Sequence, residues 1–157
     1  MKVTSYMIEA HVFKRINGKI KYLILKRSEK QIYPGIWQMV TGTINENETA
    51  YETVLREIKE ETSLQPLRLW VVPFVNSFYS YQKDSVCMIP VFCAEVDENA
   101  EVILSDEHTE YRWVDVHEAN GLFAWDGQRK SLTVIDEYLT QENSYLHFTE
   151  IPLPKQK

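Results

Sequence analysis

Apolar and polar positions change period several times along the chain. Val3–Phe13 reads as a strand, and Asn17-Gly18 after it is a pair that favours a tight two-residue hairpin turn. Lys21–Arg27 then reads as the return strand. Tyr22, Ile24 and Lys26 fall on one face and Leu23, Leu25 and Arg27 on the other. Pro34-Gly35 marks a loop, and Ile36–Thr41 is a short extended piece that ends at Gly42. The period then becomes helical over Thr49–Thr62. Ala50, Val54, Leu55 and Ile58 make one apolar stripe, Thr49 with Glu52 spells a capping box, and Pro66 stops the helix soon after. Leu67–Tyr81 and Val86–Val96 are extended and joined by the polar turn Gln82–Ser85. Glu110–Val114 is a further short strand, and Gly127–Leu139 is a closing helix with Leu132, Ile135 and Leu139 inward. Strands flank two helices without regular β-α-β alternation, so the expected class is α+β, a mixed sheet between helices.

Length and composition narrow this picture. The 157 residues suit one domain, expected over residues 1–150, with a free C-terminal tail at 151–157 containing Pro152 and Pro154. Seventeen basic residues stand against twenty-three acidic ones, a net charge of −6, which is the wrong sign for a binder of duplex nucleic acid. A nucleotide substrate stays compatible, because a metal ion offsets acidic residues locally. Cys87 and Cys93 are six positions apart in an apolar stretch. On one straight strand their Cα atoms would be roughly 20 Å apart, so they read as free, buried thiols in a reducing, cytoplasmic setting. No apolar run reaches the roughly 18 residues of a membrane span, and Met1–Phe13 lacks the apolar core of a secretion signal. The expectation is a soluble cytoplasmic protein.

The candidate chemistry lies between Gly42 and Leu64. On a helix, Glu57, Glu60 and Glu61 share an arc of about 100°. Glu57 and Glu61 are an i, i+4 like-charge pair, and all three sit toward the helix C-terminus, where the macrodipole disfavours anions. A solvated acidic face is the bland reading. The alternative is a site for a hard divalent cation, Mg²⁺ or Mn²⁺, bound by several carboxylates after a glycine-containing loop. Arg56, four residues before Glu60, would then orient carboxylates rather than bind substrate.

These residues resemble the Nudix box. Its pattern is Gly, five residues, Glu, seven residues, then Arg-Glu-apolar-any-Glu-Glu-any-Gly-apolar. Here it reads Gly42, five residues, Glu48, seven residues, and Arg56-Glu57-Ile58-Lys59-Glu60-Glu61-Thr62-Ser63-Leu64. Ser63 replaces the family's glycine, a position expected to take positive φ at the helix end, and Asn47 replaces a frequent loop glycine. The resemblance implies the Nudix fold, an α/β/α sandwich, and hydrolysis of a nucleoside diphosphate linked to another group. It also implies that Glu57, Glu60 and Glu61 bind metal, that the Gly42 carbonyl is a further ligand, and that Arg56 and Glu48 support the carboxylates. Members often carry another ligand or base in a loop before a late strand. In Ser105-Asp106-Glu107-His108-Thr109-Glu110, Glu107 is the first candidate and Glu110 the second. A box carboxylate remains a third possibility for the base.

The stretch Trp37-Gln38-Met39-Val40-Thr41-Gly42-Thr43 resembles the dihydroneopterin triphosphate and dATP pyrophosphohydrolase branch, as does Glu107-His108 with Tyr111-Arg112-Trp113. That resemblance implies cleavage of a nucleoside or pterin triphosphate to monophosphate and pyrophosphate. Hydrolysis of ADP-ribose, nucleotide sugars or dinucleoside polyphosphates is the alternative within the family, and a non-catalytic ligand-sensing domain is the alternative outside enzymes. Arg27 is the candidate phosphate contact, and Trp37 and Tyr79 are candidates for stacking on a base or pterin ring. Gln128-Arg129-Lys130 reads as an exposed helix start or a contact for a triphosphate tail. His108 receives no role, and His11, His117 and His147 have no evident partners. A homodimer is common in the family, although no segment of this chain argues for one.

Overall fold

A computed structural model describes residues 1–154. Its sheet is mixed and runs in the spatial order β4-β3-β2-β7-β6-β9. The strands are β1 (Lys2–Thr4), β2 (Met7–Ile16), β3 (Lys19–Arg27), β4 (Trp37–Gln38), β5 (Val40–Thr43), β6 (Arg68–Ser80), β7 (Ser85–Glu95), β8 (His108–Val114) and β9 (Glu150–Ile151). Helix α1 (Ala50–Thr62) covers one face, and α2 (Val116–Leu122) and α3 (Asp126–Leu139) cover the other. This is the α/β/α sandwich expected of the α+β pattern.

The two-sided burial explains why the central strands are apolar at nearly every position. Ile8, Ala10, Val12, Leu23 and Leu25 pack with Val54 and Ile58 of α1. Phe13, Tyr22, Ile24 and Met39 pack with Ala119, Leu132 and Ile135 of α2 and α3. The faces assigned to Tyr22/Ile24 and Leu23/Leu25 are those observed. Cys87 and Cys93 are free and buried.

The turn chemistry acts as the sequence suggests. Asn17 and Gly18 both have positive φ, 51° and 77°, as a type I′ hairpin turn requires. Thr49 and Glu52 form the reciprocal capping box of α1. Ser63 adopts φ 63° at the C-cap, and Asn47 has φ 67°. Four differences stand out. The first extended stretch is two strands, because a one-residue slip at Ser5–Tyr6 separates the β1–β7 and β2–β7 registers. Ile36–Thr41 is divided into β4 and β5. Helix α2 escaped the pattern because it is only seven residues long and contains Gly121, although Asp115 caps it through the Glu118 N–H at 2.8 Å. The tail is tethered: Ile151 pairs with Leu69, and Leu153 packs against the α1-side core, so the free end expected from Ile151 onward is corrected. Residues 155–157 of that tail lie outside the described residues.

The sheet is irregular in its middle and at its outer edge. β2 and β3 pair only beside their turn, at Phe13–Ile16 with Lys19–Tyr22. Farther along they part, and Trp37–Thr43 is wedged between them, β4 on β3 and β5 on β2. Gly42 thereby sits opposite Ile8, under α1. At the outer edge, the β6–β7 register shifts between Val71 and Val75, around Pro73.

Ser63 places a side chain in the left-handed region, which costs a non-glycine residue about 1–2 kcal/mol. Its hydroxyl recovers part of this by donating to the Ile103 carbonyl at 3.2 Å. Ser63→Gly is expected to stabilise the fold by about 0.5–1 kcal/mol, a rise of about 1–4 °C in Tm by thermal unfolding. An unchanged or lower Tm would show that the hydroxyl contact outweighs the backbone strain.

Candidate active site

Helix α1 sets Glu57, Glu60 and Glu61 on neighbouring turns, and Arg56 organises the first two. The guanidinium donates to both Glu48 carboxylate oxygens at 2.8 and 2.9 Å. It also donates to Glu57 Oε1 at 2.7 Å, Glu60 Oε2 at 3.2 Å and the Thr43 carbonyl at 3.0 Å. Thr53 Oγ1 adds a bond to Glu48 Oε1 at 2.6 Å. Arg56 and then Thr53 hold the Glu48 carboxyl down at about 2. Glu48 is therefore a fixed anion that aims Arg56, and Arg56 aims the helix carboxylates. Glu57 is raised above the usual carboxylate range, because burial outweighs its bond to Arg56.

Gly42 is there for space. Its φ is unexceptional, but a Cβ would overlap Cγ and Cδ of Glu57 and stand 2.6 Å from Oε1. Only a bare backbone lets β5 run this close to α1.

Glu61 is the most confined of the carboxylates. It is 2% exposed, and its Oε2 has no hydrogen-bond partner among the described residues. Burial first, then the bond and charge of Glu107, and then the charge of Glu57 push it up to about 10, with Arg27 opposing. Glu107 reaches this place because the loop before β8 is pinned to the end of α1. The Ile103 and Ser105 amides donate to the Thr62 and Glu61 carbonyls at 2.9 and 3.3 Å. Those carbonyls are among the ones a helix end leaves unpaired. Ser28 N–H in turn donates to the Glu107 carbonyl at 2.9 Å. Glu61, Glu107 and His108 each offer an atom within 4.8 Å of the others. His108 is buried, and burial holds its imidazole down at about 4, so the ring is neutral at pH 7. Hard carboxylate oxygens with an orphaned buried lone pair are a donor set suited to a divalent cation, which the residues present therefore fit.

The structure sorts the remaining candidates. Arg27 lies opposite His108 in the β3–β8 register, and its charge acts on Glu61 and His108, while its guanidinium donates to the Ile32 carbonyl at 2.7 Å. Lys26 points the other way, to Glu110 at 3.2 Å, so Glu110 is not brought to the carboxylates. Trp37 is a correction. It is a member of the α3-side core, 8% exposed, with the Arg112 guanidinium 4.7 Å from its ring centre, so no face is free for stacking. Tyr79 is carried to the far end of the β6–β7 hairpin, where its hydroxyl donates to Asp84 at 2.9 Å. Arg129 and Lys130 pair with Asp126 at the helix start, whereas Gln128 is buried and not part of an exposed start.

Three groups were missed. Gln38 contacts His108, Nε2 to Nε2 at 3.1 Å, and both are buried. Gln38 is a lone polar residue in an apolar run, and such a residue in a buried strand must find a partner. His11 has a partner after all: Glu9 Oε2 at 2.6 Å, with Asn76 Nδ2 donating to Glu9 Oε1 at 3.0 Å, all on the α3 side of the sheet. Tyr33 and Trp125, both exposed, meet edge to face with ring centres 5.3 Å apart. No local pattern signals that contact, because the two residues lie in separate loops.

An acidic helix face clamped by one arginine, laid against a glycine strand and a glutamate loop, is an arrangement suited to a divalent cation and to the hydrolysis of phosphoric anhydrides. The family comparison agrees: the NUDIX domain model matches residues 6–135, and the chain belongs to the Nudix family. Among relatives, a bis(5'-nucleosyl)-tetraphosphatase [asymmetrical] from Mus musculus is 30% identical over 127 residues, covering 78% of this chain and 83% of that protein. The nucleoside triphosphatase NudI of Escherichia coli is 29% identical over 101 residues, covering 59% and 72%. The E. coli dihydroneopterin triphosphate pyrophosphohydrolase shares the fold, with a TM-score of 0.67 at 23% identity over 85% of this chain and 95% of that one. No helix of the described residues is long and apolar enough to cross a membrane.

Gly42→Ala is expected to displace Glu57 and lower kcat about 100-fold, with the circular-dichroism spectrum unchanged. Activity near that of the parent would mean that the Gly42–Glu57 approach is dispensable.

Glu61 also ties stability to pH. The folded, metal-free chain keeps its proton up to about pH 10, whereas the unfolded chain releases it near 4.5. The contribution is whole below the unfolded value and is lost as pH climbs toward the folded one. In EDTA, Tm should therefore fall between about pH 5 and about pH 9. Glu61→Gln should flatten that slope and raise Tm at about pH 8 by about 2–4 °C, or about 1 kcal/mol. A slope that survives the substitution would assign it to other groups.

Proposed function

We propose that the protein is a divalent-metal-dependent pyrophosphohydrolase that cleaves a nucleoside or pterin triphosphate, of the dATP or dihydroneopterin triphosphate type, to monophosphate and pyrophosphate. The observation that carries this reading is Glu61. It is a buried carboxyl with an orphaned oxygen, and it is held beside Glu107 and Glu57, where its ionised form is costly unless a cation offsets the charge. The triphosphate preference is supported by the Trp37–Thr43 and Glu107–Trp113 stretches and by the 29% identity to a nucleoside triphosphatase.

Glu57, Glu60, Glu61, Glu107 and the Gly42 carbonyl are the proposed metal ligands. Bound Mg²⁺ or Mn²⁺ would neutralise phosphate charge and lower the pKa of the attacking water. Glu107, at the solvent edge of the cluster, accepts the proton of that water at its carboxylate. Arg27 meets the phosphate charge from the end of β3. Arg56 touches no substrate, and it positions Glu57 and Glu60 from a frame set by Glu48. The loop that begins at Arg27 carries Tyr33 at its far end against Trp125, so the base or pterin ring meets aromatic surface there and not at Trp37. Hydrolysis of a dinucleoside tetraphosphate is a second reading, favoured by the 30% identity to the mouse tetraphosphatase.

The test is a product-resolved hydrolysis screen with Mg²⁺ over the dNTPs, dihydroneopterin triphosphate, ADP-ribose, UDP-glucose and diadenosine tetraphosphate. A triphosphate yielding monophosphate and pyrophosphate is expected. Turnover of diadenosine tetraphosphate alone would select the second reading, and silence on every compound, also with Mn²⁺, would point to a substrate outside the panel or to ligand sensing. Glu107→Gln should lower kcat by about 10²–10⁴ with nucleotide affinity retained. Trp125→Ala should raise KM about tenfold, and an unchanged KM would remove the aromatic pair from recognition.

A further inference from the structure

The buried end of the carboxylate cluster holds a nitrogen that the fold leaves unused. His108 is 4% exposed, and its Nδ1 has no hydrogen-bond partner among the described residues; Glu61 Oε2 is likewise unpartnered. Each such group forfeits its solvation without return. Two of them in one cluster mark a place shaped for something bound to both. Ligand atoms from Glu61, Glu107 and His108 lie within 4.8 Å of one another. A cation with donors at about 2.0–2.2 Å draws neighbouring donors to about 3–4 Å, so a small contraction closes the shell.

The other ring nitrogen is prepared for that role. His108 Nε2 stands 3.1 Å from the Gln38 amide nitrogen. A half-turn of the amide brings its oxygen there instead. Nε2–H then donates to that carbonyl, and Nδ1 keeps a free lone pair. A metal-bound histidine commonly has such a carbonyl partner for its distal N–H. The register shift between Lys26 and Arg27, where β3 pairs with β8, sets His108 opposite Arg27 at the point where the strand meets the Glu107 loop.

We infer that His108 is a nitrogen ligand of the cation held by Glu61 and Glu107, making a mixed oxygen–nitrogen site that prefers a first-row transition cation such as Mn²⁺ to Mg²⁺. The inference rests on the metal-dependent reading above and adds to it the ligand that governs metal choice, since imidazole suits transition ions better than Mg²⁺.

Mn²⁺ is the probe. Pulsed electron paramagnetic resonance on the Mn²⁺-loaded wild-type protein should show the ¹⁴N coupling of a directly bound imidazole. His108→Gln should remove the coupling and reduce the Mn²⁺-to-Mg²⁺ affinity ratio, read by competition titration, about tenfold or more. Bound Mn²⁺ without nitrogen coupling would overturn the inference and leave the hydrolase reading standing. Coupling that persists in His108→Gln would overturn it as well. Equal losses of Mn²⁺ and Mg²⁺ affinity would reduce His108 to a prop for Glu107. No Mn²⁺ binding to the wild type would overturn both readings. The wild-type spectrum decides the ligand whether or not the variant folds.

Discussion

Glutamates crowded at one end of α1 repel one another, and most of the local architecture exists to hold them there regardless. Arg56 offsets part of the repulsion by bonding to Glu48, Glu57 and Glu60 together. A planar guanidinium with five donors can do this, whereas a lysine ammonium on a flexible stem would lose the geometry. Glu61 lies beyond Arg56's reach and settles its charge differently, by keeping a proton in the metal-free chain. The same confinement that destabilises the metal-free chain at high pH would preorganise the donors for the cation proposed to bind them.

The sheet contributes by being split. Because β2 and β3 separate after their hairpin, the wedge Trp37–Thr43 enters the middle of the sheet rather than its edge. One short segment thereby supplies both faces: Gln38 toward His108, Trp37 and Met39 into the α3-side core, and Gly42 against Glu57. A shift of one residue here would exchange the faces and dismantle the site.

Much of this was legible in the residues. Helical spacing alone brought Glu57, Glu60 and Glu61 together, and the capping box and the Asn17-Gly18 turn depend on contacts within four residues. Ser63 and Asn47 took the left-handed region that their place in the box implied. What the sequence hid depends on tertiary pairing. Trp37 looks like a stacking residue until the isolated bridge with Phe123 and the cover of Arg112 bury it. His108 and Gln38, seventy positions apart, become partners only when β8 and β4 both lie on β3. The tail read as free because two prolines and a few charges say nothing about Leu69 waiting across the sheet.

The bulged outer strand also bears on how copies of the protein meet in crowded solution. β9 covers only Leu69 and Trp70 of β6, and among the described residues the rest of that strand has β7 on one side alone. An open strand bearing Val75 and Phe78 is a template for joining molecules sheet to sheet. Pro73 offers no N–H there, and the shifted register around it bends the strand out of a flat ladder. A substitution that straightened this edge, Pro73→Val for instance, would leave the catalytic face untouched while exposing the protein to aggregation.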